Sequence, residues 1–174
     1  NKVSLPQFSA YPYGAWGIAV TGASASLVLK DSSVRGCSSS GMIGNGNAEI
    51  SIRNSSFSEN SFAGLWLQNY TQYDGVNVRV EETLFEKNRA AALLAIESCG
   101  VLLDKLLVKE SQPLAWKESL VGDGLVFIGS KLSDSGCSVA ISDTLLKDNF
   151  RAGIVIDGTA SSNGHELKGF SAKN

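Results

Sequence analysis

Proline is scarce in this sequence, with 3 in 174 residues, and there is a single histidine. No apolar run approaches the roughly 18 residues that a membrane-crossing helix needs, so no span is expected. No lysine- or arginine-rich tract appears. The 15 basic and 17 acidic side chains leave a net charge of −2, so neither nucleic acid nor an anionic membrane surface is an expected partner. There is no Cys-x-x-Cys pair, no Cys/His cluster for zinc, and no D-x-D calcium loop. No metal or cofactor is expected. The 3 cysteines are too few for a disulfide framework, and the odd count leaves at least one thiol free. The chain opens NKVSLPQFSAYPYGAW, without an initiating Met or a signal-peptide pattern. It reads as a processed or excised piece of a longer protein.

Glycine is abundant, at 18 residues, against 43% hydrophobic and 18% charged residues. That balance belongs to a folded chain of strands and turns, long enough for one core. A dozen-residue phrase recurs: SFSENSFAGLWL from Ser56, LFEKNRAAALLA from Leu84, LLKDNFRAGIVI from Leu145. With Asn60, Asn88 and Asn149 in one column, Phe57, Phe85 and Leu146 share another. Gly64, Ala92 and Gly153 share a third. Weaker copies lie around Leu27 to Met42 and around Val101 to Ser111, the latter resuming at Gly124. Apolar residues alternate within each copy (Ile50-x-Ile52, Leu65-x-Leu67), which is strand periodicity. First strands start near 27, 50, 78, 101 and 139. A unit this short cannot bury its own apolar face, so successive copies must stack.

The pattern I-x-N-S-x-F-x-x-N-x-x-x-G-L-x-L resembles the right-handed parallel β-helix repeat of the pectate-lyase-like superfamily, from about Trp16 to the C-terminus. The resemblance implies an all-β solenoid of about five to six coils, forming one domain over 1–174 with insertions near 69–76 and 112–122. Any helix is expected at a terminus or within 112–121. Asn60, Asn88 and Asn149 would form a stacked, buried ladder at a tight turn, where asparagine tolerates a left-handed backbone. Cys37 takes the asparagine's place in its copy. Gly41, Gly64, Gly124 and Gly153 would serve an unusual backbone or a close approach. The superfamily holds lyases, hydrolases, adhesins, tailspikes and inert scaffolds, so the fold does not name an activity. A secreted or cell-surface location is implied by the resemblance alone.

Candidate chemistry is sparse. Gly164-His165-Glu166 breaks the Gly-His-Gly motif of the similar polygalacturonases, and no G-x-S-x-G elbow supports a triad on His165. His165 reads as a loop or terminal-coil residue. The acids available for lyase-like chemistry are Asp74, Asp123, Asp134, Asp157 and Glu97, with Arg53, Arg79 and Arg151 as candidate bases. Asp123 and Asp157 fall at opposite ends of neighbouring strands, which does not suit a glycosidase pair. Each acid reads as a solvated turn residue. Cys99 and Cys137 occupy one column on adjacent coils. The stacking distance would permit a bridge, but buried, reduced thiols are the favoured reading. Asn54-Ser55-Ser56 and Asn69-Tyr70-Thr71 are formal glycosylation sequons, of a kind that short polar repeats generate by chance.

One strand of each copy carries an unusual outer row. Ala19, Ile43, Trp66, Leu94, Val126 and Val155 fall in one outward column, and Thr21, Asn45, Gln68, Ile96, Ile128 and Asp157 in the next. Apolar residues in a solvated exterior column call for a cover. The insertion at 112–121, through Leu114 and Trp116, is expected to cover part. The rest, centred on Trp66 and Leu94, is expected to meet a second chain or domain. The leading expectation is therefore a non-catalytic binding or structural module. Another protein would be its partner through the Ile43/Trp66/Leu94/Val126/Val155 face, with polysaccharide as a second candidate ligand. The alternative is a polysaccharide lyase or glycoside hydrolase. In that case Trp66, Tyr70, Tyr73 and Trp116 would stack on sugar rings. Gln68 and Leu94 would line the face, and Asp74, Asp123 or Asp157 would act as acid, base or metal ligand.

Overall fold

The computed structural model describes residues 15–71, 75–116, 119–129, 137–157 and 170–171. Among them the regular elements are all strands. They stack in three sheets, each following the repeat. The first sheet holds Ile18–Thr21, Met42–Asn45, Ala63–Tyr70, Ala90–Ser98, Ser119–Ile128 and Ile154–Asp157. The second holds Ser26–Lys30, Glu49–Arg53, Val78–Glu81, Val101–Asp104, Val139–Ser142 and Phe170–Ser171. The third holds Ser33–Arg35, Ser56–Ser58, Leu84–Glu86, Leu107–Lys109 and Leu145–Lys147. Each strand pairs in parallel with the equivalent strand of the next coil, as in Phe57 with Phe85 and Val101 with Val139. The solenoid thus follows from stacked copies that each expose one apolar edge to the next.

Alternation sends one set of side chains inward. Ile50, Ile52, Leu65, Val80 and Leu103 are buried in a single interior cluster. Phe57 and Phe85 stack there with centroids 5.3 Å apart, adding to their area burial.

Two of the corners repeat one left-handed residue per coil. Between the second and third sheets these are Asp31, Asn54, Glu82, Lys105 and Asp143. Between the third and first they are Gly36, Glu59, Lys87, Glu110 and Asp148. The asparagines expected to be left-handed are not. Their predecessors Glu59, Lys87 and Asp148 are, with φ of 54, 54 and 53°. The asparagines serve through their amides instead. Asn60 Nδ2 donates to Asn88 Oδ1 at 2.8 Å, and Asn88 Nδ2 donates to the Phe57 carbonyl at 2.9 Å. The N–H groups of Cys37 and Ser111 donate to Asn60 Oδ1 and Asn149 Oδ1. Ser111 therefore separates Asn88 from Asn149 in the stack. Asn149 is only partly buried.

Hydroxyls organise the preceding corner. Ser32, Ser55, Thr83 and Thr144 each donate to the carbonyl two residues back. Ser55 and Thr144 also accept the N–H of Ser32 and Leu106 from the coil before. The glycine column answers the second of its two expectations, close approach. A Cβ on Gly64 would lie 2.7 Å from the Ala92 carbonyl oxygen and from the Phe85 ring.

Within 112–121, the internal place named for any helix, the described residues form strands instead. Leu114–Trp116 runs antiparallel to the start of Ser119–Ile128, with Leu114 opposite Val121 and Ala115 opposite Leu120. Alternation suits this arm, since Leu114 and Val121 turn toward an apolar cluster while Leu120 is exposed. Cys99 and Cys137 are joined in a disulfide rather than reduced. Stacking brings their Cα atoms to 5.0 Å, within the span of a bridge. Cys37 is free and half-buried.

Candidate functional site

The first sheet's outer face is where the sequence placed the candidate site. The pairing reproduces both expected rows: Ala19, Ile43, Trp66, Leu94, Val126 and Val155 lie in one column, with Thr21 to Asp157 beside them. What differs is exposure. Ile43 and Trp66 are 1% exposed, Leu94 and Val126 5%. They belong to a second apolar cluster outside the coil interior, with Phe62, Ala63, Ala90 and Ala91. Phe62 leans on Trp66, with ring centroids 5.5 Å apart and planes tilted 60°. Trp16, Leu114 and Val121 pack against the same cluster. The covering arm was expected, but not the completeness of the cover. Trp66 and Leu94 are not available for a second chain, because this chain already removes them from water. Among the large apolar members of the two rows, Ile96 and Val155 are half-buried and Ile128 is exposed.

Tyr70 also departs from its expected role. It is fully buried in the interior cluster, not displayed for a sugar ring. Its hydroxyl has no hydrogen-bond partner. A Cβ on Gly44 would lie 2.5 Å from that oxygen, so glycine is needed there to admit the ring. Burial pushes the phenol well above its ordinary pKa.

Asp123 is no solvated turn residue. Its side chain is 1% exposed and held by both arms of one guanidinium, Arg151 Nε to Oδ1 at 2.9 Å and Nη2 to Oδ2 at 2.6 Å. The carboxylate in turn raises the Arg151 pKa, through the hydrogen bond first and the charge second. Both oxygens are therefore committed to Arg151, a partner 28 residues later that the sequence pattern does not link to Asp123. Asp157 is exposed at the far end of the neighbouring strand. The two acids do not meet, as the strand ends had indicated. Gln68 is half-buried in the same row as Asp157, with Ile96 and Ile128 between them, and Glu97 sits half-buried at a left-handed corner. Arg53 and Arg79 pair with Glu82 and Glu81 on the second sheet. Tyr73, Asp74, Asp134, His165 and the Trp116 side chain lie outside the described residues. Among the described residues, no group of three His, Cys, Asp or Glu side chains could hold a metal. No helix there is long and apolar enough to cross a membrane.

Comparison with known proteins gives the family. A family model described as "Right handed beta helix region" matches residues 16–169. The chain belongs to the right-handed β-helix family. That match agrees with the three stacked parallel sheets. Neither the curated proteins nor the solved structures returned a match.

Proposed function

We propose that this β-helix is a non-catalytic structural or binding module of a secreted or cell-surface protein. One observation carries the reading: the first-sheet face is occupied by the chain itself. Its apolar column is buried from Ile43 to Val126, and Asp123, the one buried acid among the described residues, is neutralised by Arg151. General acid–base work needs a carboxylate free to exchange a proton with substrate, and an acid held by both arms of a guanidinium is not. The Cys99–Cys137 bridge supports the location, because such bonds persist in oxidising compartments. A stack with a closed face and a staple suits a spacer or display role, in which outer surfaces and corners carry recognition.

The test is direct. The purified protein is assayed on acidic and neutral polysaccharides with and without added calcium, and its binding is surveyed on a glycan array. No turnover is expected. Turnover abolished by Asp157→Asn with the fold intact would replace this reading with that of a polysaccharide lyase or hydrolase.

A further inference from the structure

The two glycosylation sequons sit in different structural settings. Asn54-Ser55-Ser56 crosses the corner from the second sheet to the third. Its equivalents are Asp31-Ser32-Ser33, Glu82-Thr83-Leu84, Lys105-Leu106-Leu107 and Asp143-Thr144-Leu145. The fold accounts for the middle residue of the sequon. Ser55 is buried, and its hydroxyl donates to the Arg53 carbonyl and accepts the Ser32 N–H. The first position needs a left-handed backbone, which Asp31, Glu82, Lys105 and Asp143 adopt as Asn54 does. The third position faces outward from the third sheet, and Ser33, Leu84, Leu107 and Leu145 fill it in the other coils. Stacking therefore demands neither the amide of Asn54 nor the hydroxyl of Ser56. Together they complete an acceptor motif.

Asn54 is exposed, and Ser56 is half-buried. Asn54 Nδ2 donates to the exposed carboxylate of Asp31, Oδ1, at 2.6 Å. One of its two hydrogens serves that bond, and the other is free to be replaced. Asp31, Arg53 and Glu82 around it are exposed and charged, so a bulky hydrophilic substituent meets polar surroundings. Asn69-Tyr70-Thr71 is closed by comparison. Its corner has Gly22, Gly46, Glu97 and Gly129 in the equivalent places, all with positive φ, so a turn-permissive residue is what the backbone requires there. Asn69 is half-buried with Nδ2 on Asn45 Oδ1 at 3.2 Å, and Tyr70 is buried in the interior. The Thr71 N–H donates to Asn47 Oδ1 at 2.7 Å.

We propose that Asn54 is an N-glycosylation site, with a lipid-linked oligosaccharide as the donor. Asn54 Nδ2 forms a bond to the anomeric carbon of the first sugar as the bond from that carbon to the lipid pyrophosphate breaks. The pyrophosphate leaves with the electron pair, and Nδ2 gives up one proton. The hydrogen that stays on Nδ2 keeps its bond to Asp31. The glycan stands on the corner between the second and third sheets, away from the covered face of the first. This inference rests on the secreted or cell-surface reading, because the sequon is used in the secretory pathway.

The 174-residue chain, led by a cleavable secretion signal, is expressed in cultured animal cells, and its mass is read in both medium and cell lysate. Loss of the leader in the same spectrum marks chains that entered the pathway. One N-linked glycan is expected on them, removable by peptide-N-glycosidase. It should be lost in Asn54→Gln and in Ser56→Ala, and kept in Ser56→Thr and Asn69→Gln. Circular dichroism of Ser56→Ala should match that of the parent, which separates a lost acceptor from a lost fold. Leader-free chains without a glycan in both medium and lysate, or with one on Asn69 alone, overturn the site. Glycosylated chains retained in the cell with Cys99 and Cys137 reduced would leave the site standing and overturn the secreted reading instead.

Discussion

Two copies of the same phrase, SFSENSFAGLWL in the middle of the stack and LLKDNFRAGIVI near its end, meet different surroundings. Phe57, Leu65 and Leu67 are fully buried, whereas their counterparts Leu146, Ile154 and Ile156 are only partly so. Asn60 is 0% exposed, and Asn149 in the same column is partly open. The sequences are close enough that local propensity cannot account for this. Burial in this molecule is a property of having a coil on both sides, and the repeat supplies only the capacity for it.

The largest test of that contrast removes inward side chains. Phe85→Ala should cost about 3–5 kcal/mol, the usual range for a closed aromatic site. Leu146→Ala should cost only about 1–2 kcal/mol, because its site is already partly open and can collapse. Denaturant midpoints at unchanged slope would measure both. Equal losses would mean that the end coil is packed as tightly as the middle.

A smaller difference is expected at the amide column. Asn88→Leu should cost about 1–3 kcal/mol, since it strands the Asn60 N–H and amide in the interior. Asn149→Leu leaves one N–H, that of Ser111, in a part-buried position, and should cost less than half as much. Thermal melts of the two variants would rank them.

The smallest effect runs the other way. Tyr70→Phe removes a buried hydroxyl that has no partner and should stabilise the protein by about 1 kcal/mol. The same change should alter the alkaline limb. Tyr70 has a folded pKa raised by burial, so its neutral form contributes stability that is complete below the unfolded value near 10 and is lost as pH rises beyond it. The advantage of Tyr70→Phe should therefore grow above about pH 10. A constant difference between pH 7 and 11 would show that the phenol ionises freely.

Much of the fold was legible because inward positions alternate with a period of two, and a slip of one residue would turn every apolar side chain outward. Strand starts read near 27, 50, 78, 101 and 139 fall at Ser26, Glu49, Val78, Val101 and Val139. The corners were less legible. Glu59, Lys87 and Asp148 hold left-handed backbones that their side chains do not advertise, while the neighbouring asparagines carry the familiar turn signal. The outer column was read in the right order, but its exposure depended on the paths of Phe62, Trp16 and the 112–121 arm. The neutralisation of Asp123 arises from an arginine one coil later. Such closures are set by the stack's third dimension, which periodicity does not encode.

At the two corners flanking the third sheet, the backbone N–H groups that side chains accept all point one way. An earlier coil gives the N–H, and a later one gives the acceptor: Ser32 to Ser55, Cys37 to Asn60, Asn60 to Asn88, Leu106 to Thr144, Ser111 to Asn149. A chain leaving the ribosome N-terminus first therefore emerges with these two corners still waiting on residues not yet made. For Ser32 and Cys37 the wait is 23 residues, and for Leu106 and Ser111 it is 38. Growth of the solenoid is thus vectorial, each newly synthesised coil completing the one before it. The longest delay falls where the arm at 112–121 is being made, so slow translation there would prolong the exposure of an unfinished end.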